Sequence, residues 1–252
     1  MTVAHRLTFT DAYEQLRRAQ KPGAGVPAYT RWVNRSLARY AAAFLASRGV
    51  SADGTTALSA TFSAVGLLLL ALGPISWWTG LAVAVLFAIG YVLDSADGQV
   101  ARLTGTGSPA GEWLDHVVDA IRTPAIHLCA LVSWYRHEPL RDDVSTWMLA
   151  LPVVFTLVAV GHFMSQILAE QLLLRVRGVR TNVASDAGPV RSFVNLPMDA
   201  GVTCWIFVLW GAPLVFVAAY ALLLIAHIGI GAVSMRRKRR ALHALKNQET
   251  TA

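Results

Sequence analysis

Long apolar runs, rather than alternating apolar and polar positions, dominate the chain. Six of them follow one another at about 55–72, 76–93, 113–135, 146–173, 196–210 and 212–234. Runs of this length are what membrane-crossing helices require, because a bilayer's hydrocarbon core is about 30 Å thick. Gly73-Pro74 separates the first pair, and Gly211, Ala212 and Pro213 separate the last pair, so both connections are expected to be tight turns. The third run is the least obvious by hydropathy. Its first half holds Asp115, His116, Asp119 and Arg122, and its uninterrupted apolar part begins only near Thr123. The pattern predicts an all-α polytopic membrane protein with six transmembrane helices.

A different pattern precedes them. Over residues 29–48, Val33, Leu37, Tyr40, Ala41, Phe44 and Leu45 fall on one helical face, while Arg31, Arg35 and Arg39 form a row on the other. This suits an interfacial amphipathic helix lying along the headgroups, with Trp32 as an anchor. The same pattern also fits a helix packed on other protein. Upstream, residues 1–28 read as a short helix followed by a linker broken by Pro22, Gly23, Gly25 and Pro27, and residues 49–54 turn the chain into the bilayer. The expected division is a cytoplasmic N-terminal segment at 1–54, a six-helix transmembrane catalytic domain at 55–235, and a basic cytoplasmic tail at 236–252. The first long apolar run begins near Thr55, so the first transmembrane helix is expected to serve as the insertion signal.

Composition agrees with the membrane reading. The chain is 55% hydrophobic and only 15% charged, with a mean hydropathy of +0.48. Its formal net charge of +7 could suggest nucleic acid, but the Lys and Arg lie mainly between apolar runs. That distribution argues against nucleic-acid binding and for the positive-inside rule and anionic headgroups. With a cytoplasmic N-terminus, the inside holds eight Lys/Arg before the first helix, one in the 94–112 loop, four between 174 and 195, and six after 235. That is 19 of the 22, and it predicts both termini inside, in the cell membrane. Cys129 and Cys204 each lie inside an apolar run without metal-ligand spacing and read as small buried hydrophobes.

The chemistry concentrates in the stretch from Asp94 to Asp119. If the second helix continues to Arg102, then Asp94, Asp97, Gly98 and Ala101 line one face, with Arg102 beside the row. Small residues there permit close approach of a bulky group, and a guanidinium can fork onto phosphate oxygens. After the glycine-rich TGTGSP break, the next helix is expected to start with Ser108 as N-cap and Pro109 at its first position. Gly111, Asp115, Asp119 and Arg122 then share its inward face. Two helices meeting along these faces bring four carboxylates into one pocket, which demands cations or sharply raised pKa values. All-oxygen ligands favour Mg²⁺, Mn²⁺ or Ca²⁺ over zinc, and two such ions can hold a diphosphate for phosphoryl transfer.

The spacing Asp94-x2-Asp97-Gly98-x2-Ala101-Arg102-x8-Gly111-x3-Asp115-x3-Asp119 resembles the signature of the CDP-alcohol phosphotransferases (the CDP-alcohol phosphatidyltransferase family, class I), with all eight positions present. The six-helix layout and the N-terminal interfacial helix are also similar to that family. The resemblance implies a homodimeric membrane enzyme of phospholipid or envelope-lipid biosynthesis, with a cytoplasm-facing site and two Mg²⁺ or Mn²⁺ ions. A CDP-linked alcohol such as CDP-diacylglycerol would donate a substituted phosphate to an acceptor hydroxyl, with release of CMP. Asp94, Asp97 and Asp115 would be metal ligands, and Asp119 a ligand, the base that deprotonates the acceptor, or both. Asp97, Gly98, Ala101, Arg102, Gly111 and Asp115 would bind the CDP donor.

Candidates for acceptor binding lie outside the signature. Arg175, Arg177, Arg180 and Arg191 sit in or beside the 174–195 loop on the active-site side, and Arg122 sits one turn from Asp119. Glu170, Gln171 and Asp199, at the same level, could shape the pocket, whereas His162 and His227 read as packed helix-interface residues. One detail points elsewhere: SPAGEWLDHVVD resembles the form found in choline and ethanolamine phosphotransferases, which move a small head group from its CDP derivative onto a lipid alcohol. Ala110 stands where the inositol-phosphate enzymes usually carry a basic residue, which weakens that variant. A rival from another class, a cation-coupled transporter, predicts acids at mid-bilayer on broken helices. The acids here cluster at helix ends on one side.

Overall fold

The computed structural model describes residues 7–19, 25–137, 146–177 and 189–249. The described residues form helices and turns, with no strand among them. They comprise α1 (Phe9–Arg18), α2 (Arg35–Ser47), α3 (Ala52–Leu72), α4 (Trp77–Thr104), α5 (Pro109–Arg136), α6 (Ala150–Arg177), α7 (Pro189–Val194), α8 (Ala200–Trp205) and α9 (Pro213–Glu249). A π-helical segment, Thr30–Asn34, leads into α2, and a 3₁₀ segment, Ile206–Gly211, extends α8.

Local chemistry sets the ends of the central helices. Ser51 caps α3 by accepting from the Gly54 N–H at 3.1 Å. Ser108 caps α5 by accepting from the Gly111 N–H at 3.0 Å, with Pro109 in the first position, where its missing N–H costs nothing. Between them α4 runs on to Thr104, past the end of its apolar run, and stops at Gly105 with φ of 67°. A left-handed C-cap of that kind favours glycine, and the chain then folds straight back into α5.

Five helices are long and apolar enough to cross a membrane: α3, α4, α5, α6 and α9. The sixth run forms the shorter apolar helix Ala200–Gly211. Six α-helical and six 3₁₀ residues give it a length of only about 21 Å. Close packing explains the departure. A Cβ on Gly80 of α4 would collide with the Phe207 carbonyl, and one on Gly201 would fall inside the Tyr29 ring. The backbone of this segment is therefore pressed against its neighbours more tightly than an ordinary helix–helix contact allows.

The helices close a ring: α3 packs on α4, α4 on residues 200–211, 206–211 on α9, α9 on α6, α6 on α5, and α5 on α3. One end of the ring is filled by aromatic residues, with Trp134, Trp210, Phe216, Tyr220 and Phe155 in successive edge and stacked contacts at centroid separations of 4.8–6.3 Å. Outside the ring, α2 lays Ala38, Ala42 and Ala43 against α1 and α4, where Ala96 and Val100 complete the contact. Its other face leaves Val33, Leu37, Tyr40 and Phe44 exposed. Each of the two readings of this helix is thus half of the picture: one stripe packs on protein and another is free to meet lipid.

A buried polar knot ties α2's leader to the ring. Asp199, 1% exposed, accepts from the Thr30 N–H and the Thr30 hydroxyl, both at 2.7 Å, and from the Gly201 N–H at 3.1 Å. Thr30 Oγ1 also lies 2.6 Å from the Tyr91 hydroxyl on α4. Asp199 is therefore a fastening between segments 169 residues apart. Asp199→Ala removes the acceptor from three donors, of which the Thr30 hydroxyl can turn to Tyr91, so it is expected to lower stability by about 1–3 kcal/mol per donor left unsatisfied. The measurement is thermal unfolding of the detergent-solubilised variant, and an unchanged midpoint would contradict the role.

Candidate active site

The α4–α5 turn places acids from both helices at one end of the ring. Asp94 on α4 and Asp115 and Asp119 on α5 each offer a carboxylate oxygen, and these oxygens lie within 4.8 Å of one another. All three residues are half-buried. Arg122 lies one turn below Asp119. Its Nη2 donates to Asp94 at 2.7 Å and to the Asp119 carboxylate, and its Nη1 donates to Ser59 Oγ of α3 at 3.2 Å. Ser59 in turn donates to the Gly90 carbonyl at 2.8 Å. The guanidinium is thereby held between three helices, where its charge offsets two crowded carboxylates.

The fourth signature acid stands apart. Asp97 is 7% exposed, and its Oδ2 accepts a 2.6 Å hydrogen bond from the Thr56 hydroxyl. Three residues along a helix turn a side chain by about 60°, which directs Asp97 toward α3. The other signature residues lie further toward the helix ends. A Cβ on Gly98 would meet only the Arg102 guanidinium, at 3.5 Å, so Gly98 leaves room and Arg102 folds over it. Gly111 lies against Asp53 of the first turn of α3, whose Oδ1 would be 3.2 Å from an added Cβ. Ala101 is half-buried on the same stretch of α4. His116 lies 3.8 Å from Asp115 and 3.9 Å from Glu112.

The candidate acceptor residues divide. Arg191 on α7 is half-buried at the rim of a large cavity, Arg175 is exposed near the end of α6, and Arg177 is the last residue of that helix. Arg180 lies outside the described residues. Glu170 lines the cavity, as do His162 and His227, while the Gln171 amide reaches Glu112 at 3.5 Å. Asp53, Thr56 and Ser59 were not singled out from the sequence. A signal was present, because Thr55, Thr56, Ser59 and Ser63 form a polar stripe along an otherwise apolar helix, and all four are buried.

The donor set is chemically suited to a hard cation. Three carboxylates converge from two helices, no sulfur or imidazole is among the converging ligand atoms, and small residues flank them. Asp94, Asp115 and Asp119 could hold a divalent ion, with Asp97 close by.

A ring of helices, five of them long and apolar enough to cross a membrane, with an acidic cluster that could hold a cation, defines a class: polytopic all-α membrane proteins. The family follows from comparison. Residues 49–233 match the CDP-alcohol phosphatidyltransferase family, and the chain belongs to it. The match spans α3 to most of α9 and contains all eight signature positions. Members of this family are transferases that move a phosphate-linked group from a CDP-alcohol to an alcohol acceptor, and the family uses divalent metals. No curated protein matches the chain in a sequence search.

Because Arg122 compensates two half-buried carboxylates, Arg122→Gln is expected to cost about 3–5 kcal/mol of stability in divalent-free buffer. Added Mn²⁺ should restore part of the loss. Fluorescence-detected thermal unfolding with and without Mn²⁺ checks both effects, and equal midpoints for variant and parent would rule the compensation out.

Proposed function

We propose that the protein is a CDP-alcohol phosphotransferase that moves a substituted phosphate from a CDP-linked donor to an acceptor hydroxyl, releasing CMP, in phospholipid or envelope-lipid synthesis. The observation that carries the proposal is the convergence of Asp94, Asp115 and Asp119 within 4.8 Å, inside a matched family region that keeps every signature residue.

In this reading Asp94, Asp97, Asp115 and Asp119 hold Mg²⁺ or Mn²⁺, two ions when the donor is bound. Bound there, the ions would supply positive charge against the diphosphate and the transferring phosphoryl group. Gly98, Ala101 and Gly111 leave space for the nucleotide, and Arg102 pairs with its phosphates. Asp119 takes the proton from the acceptor hydroxyl as its oxygen attacks phosphorus, and Arg122 positions Asp119 and Asp94. Thr56 orients Asp97 through its hydroxyl. Arg175, Arg177, Arg180 and Arg191 supply positive charge on the acceptor side.

The charge asymmetry supports an orientation with the site and both termini in the cytoplasm of a cell-membrane protein. Residues 55–235 form the catalytic domain between a juxtamembrane segment at 1–54 and a basic tail at 236–252. The working form in this reading is a homodimer. A cation-coupled transporter is disfavoured because α4 and α5, which carry the acids, run unbroken through them.

Purified protein in nanodiscs should release CMP from CDP-diacylglycerol or a CDP-linked small alcohol when Mg²⁺ or Mn²⁺ is present, and EDTA should abolish release. Asp119→Asn is expected to lower turnover on the order of a hundredfold or more. Normal turnover by that variant would sink the assigned role. Thr56→Val should give a smaller loss, about tenfold, through misorientation of Asp97. That loss is expected in the divalent-ion concentration needed for half-maximal activity.

A further inference from the structure

Arg122 lies outside the eight signature positions, yet it holds two of the signature acids. Its Nη2 donates to Asp94 Oδ1 at 2.7 Å and to Asp119 Oδ1. Its Nη1 donates to Ser59 Oγ at 3.2 Å, and Ser59, fully buried, donates in turn to the Gly90 carbonyl at 2.8 Å. The guanidinium cannot leave the acids without breaking bonds to α3 and α4 together. Only 13% of its side chain is exposed, so solvent screens its charge poorly.

An ion ligated by Asp94 or Asp119 shares a carboxylate with that guanidinium, and the two cations repel one another. Formal charge shows where the repulsion matters. With the four signature carboxylates ionised, Arg122 leaves three negative charges on the cluster. One divalent ion leaves one of them. A second ion would make the cluster positive, whereas without Arg122 two ions would only neutralise it. A CDP-linked donor reverses the sign again, because both of its phosphates are anionic.

Ligand supply points the same way. Asp94, Asp115 and Asp119 converge, but Asp97 is outside that group and its Oδ2 accepts from the Thr56 hydroxyl of α3 at 2.6 Å. The converging oxygens suit one ion. A second needs oxygens beyond those gathered among the described residues, and a diphosphate can supply them.

From this geometry we infer, on the CDP-alcohol phosphotransferase reading, that Arg122 makes divalent-ion loading depend on the donor. The resting cluster takes one ion, and the second enters only with the donor's phosphates. Arg122 is a positioning residue in this role, since it acts through the acids it holds. Coupling of this kind is reciprocal, so the donor in turn binds weakly until ions are present. The ion pair that phosphoryl transfer uses is assembled on the substrate and not ahead of it.

The test is electron paramagnetic resonance of Mn²⁺ on the full chain in phosphatidylcholine nanodiscs. Two ions about 3.5–4 Å apart give a spin-coupled spectrum, and a single ion does not. The parent chain should show an isolated ion without CDP and a coupled pair once CDP is added. Arg122→Gln should show the coupled pair without CDP, at a Mn²⁺ concentration about tenfold or more below that needed by the parent. Arg122→Lys keeps the charge and should behave as the parent does, which separates charge from packing. Ser59→Ala frees the guanidinium without touching an acid and covers the case in which Arg122→Gln does not fold. It should lower the same concentration by a smaller factor, about two- to fivefold. A coupled pair in the parent without CDP, at the Mn²⁺ concentration used with it, would overturn this role for Arg122. So would an Arg122→Gln chain that still needs CDP, or an Arg122→Lys chain that does not. Inorganic pyrophosphate completing the pair where CDP fails would uphold Arg122 and overturn the CDP-alcohol reading instead.

Discussion

Crowding of negative charge where two long apolar helices face one another is the constraint on which this structure depends. Carboxylates held within 4.8 Å repel one another, and they are half-buried among apolar helices, where solvent screens them poorly. The fold answers with one fixed cation. Arg122 bonds to two of the acids and is itself tethered to Ser59 on a third helix. Three helices are thereby fastened at the level where the acids lie, and the compensation fixes geometry as well as charge. The negative charge that Arg122 leaves uncompensated could hold a divalent ion.

The rest of the architecture protects that arrangement. The acids need two helices that end together and turn back at once, which Gly105 and the Ser108 cap provide. They need a third helix close enough to lend hydroxyls, and the buried polar stripe of α3 supplies Thr56 and Ser59. One turn before Asp94, the Asp199–Thr30–Tyr91 knot fixes the segment that leads into α2 and the short α8 segment against the same helix. α4 is thus held by several neighbours near its acids.

Much of this was legible in the sequence, for identifiable reasons. Helix ends are set by local chemistry, so Ser108 and Pro109 could be read from adjacent residues, whereas the continuation of α4 to Arg102 entered only as a condition and the helix in fact runs on to Thr104. The signature acids were legible because helical spacing puts them on shared faces. The run at 196–210 was not, since its composition matches a crossing helix. Its 3₁₀ tightening comes from contacts with Gly80 and Tyr29, which are remote in sequence. The separation of Asp97 from the other three acids was hidden for a related reason, because its partner Thr56 lies 41 residues away. The role of Asp199 depends on Thr30, and no local pattern links the two. The large cavity emerges only once six segments close into a ring.

α9 runs without interruption from Pro213 to Glu249, 37 residues, or about 55 Å. A hydrocarbon core of about 30 Å cannot contain it, so its last turns project well clear of the membrane. One continuous helix thus carries both His227, which lines the cavity, and the cationic run from Arg236 to Arg240. Attraction of those cations to anionic headgroups would act on the same helix that walls the cavity, and the lipid composition of a leaflet would thereby bear on the protein's interior.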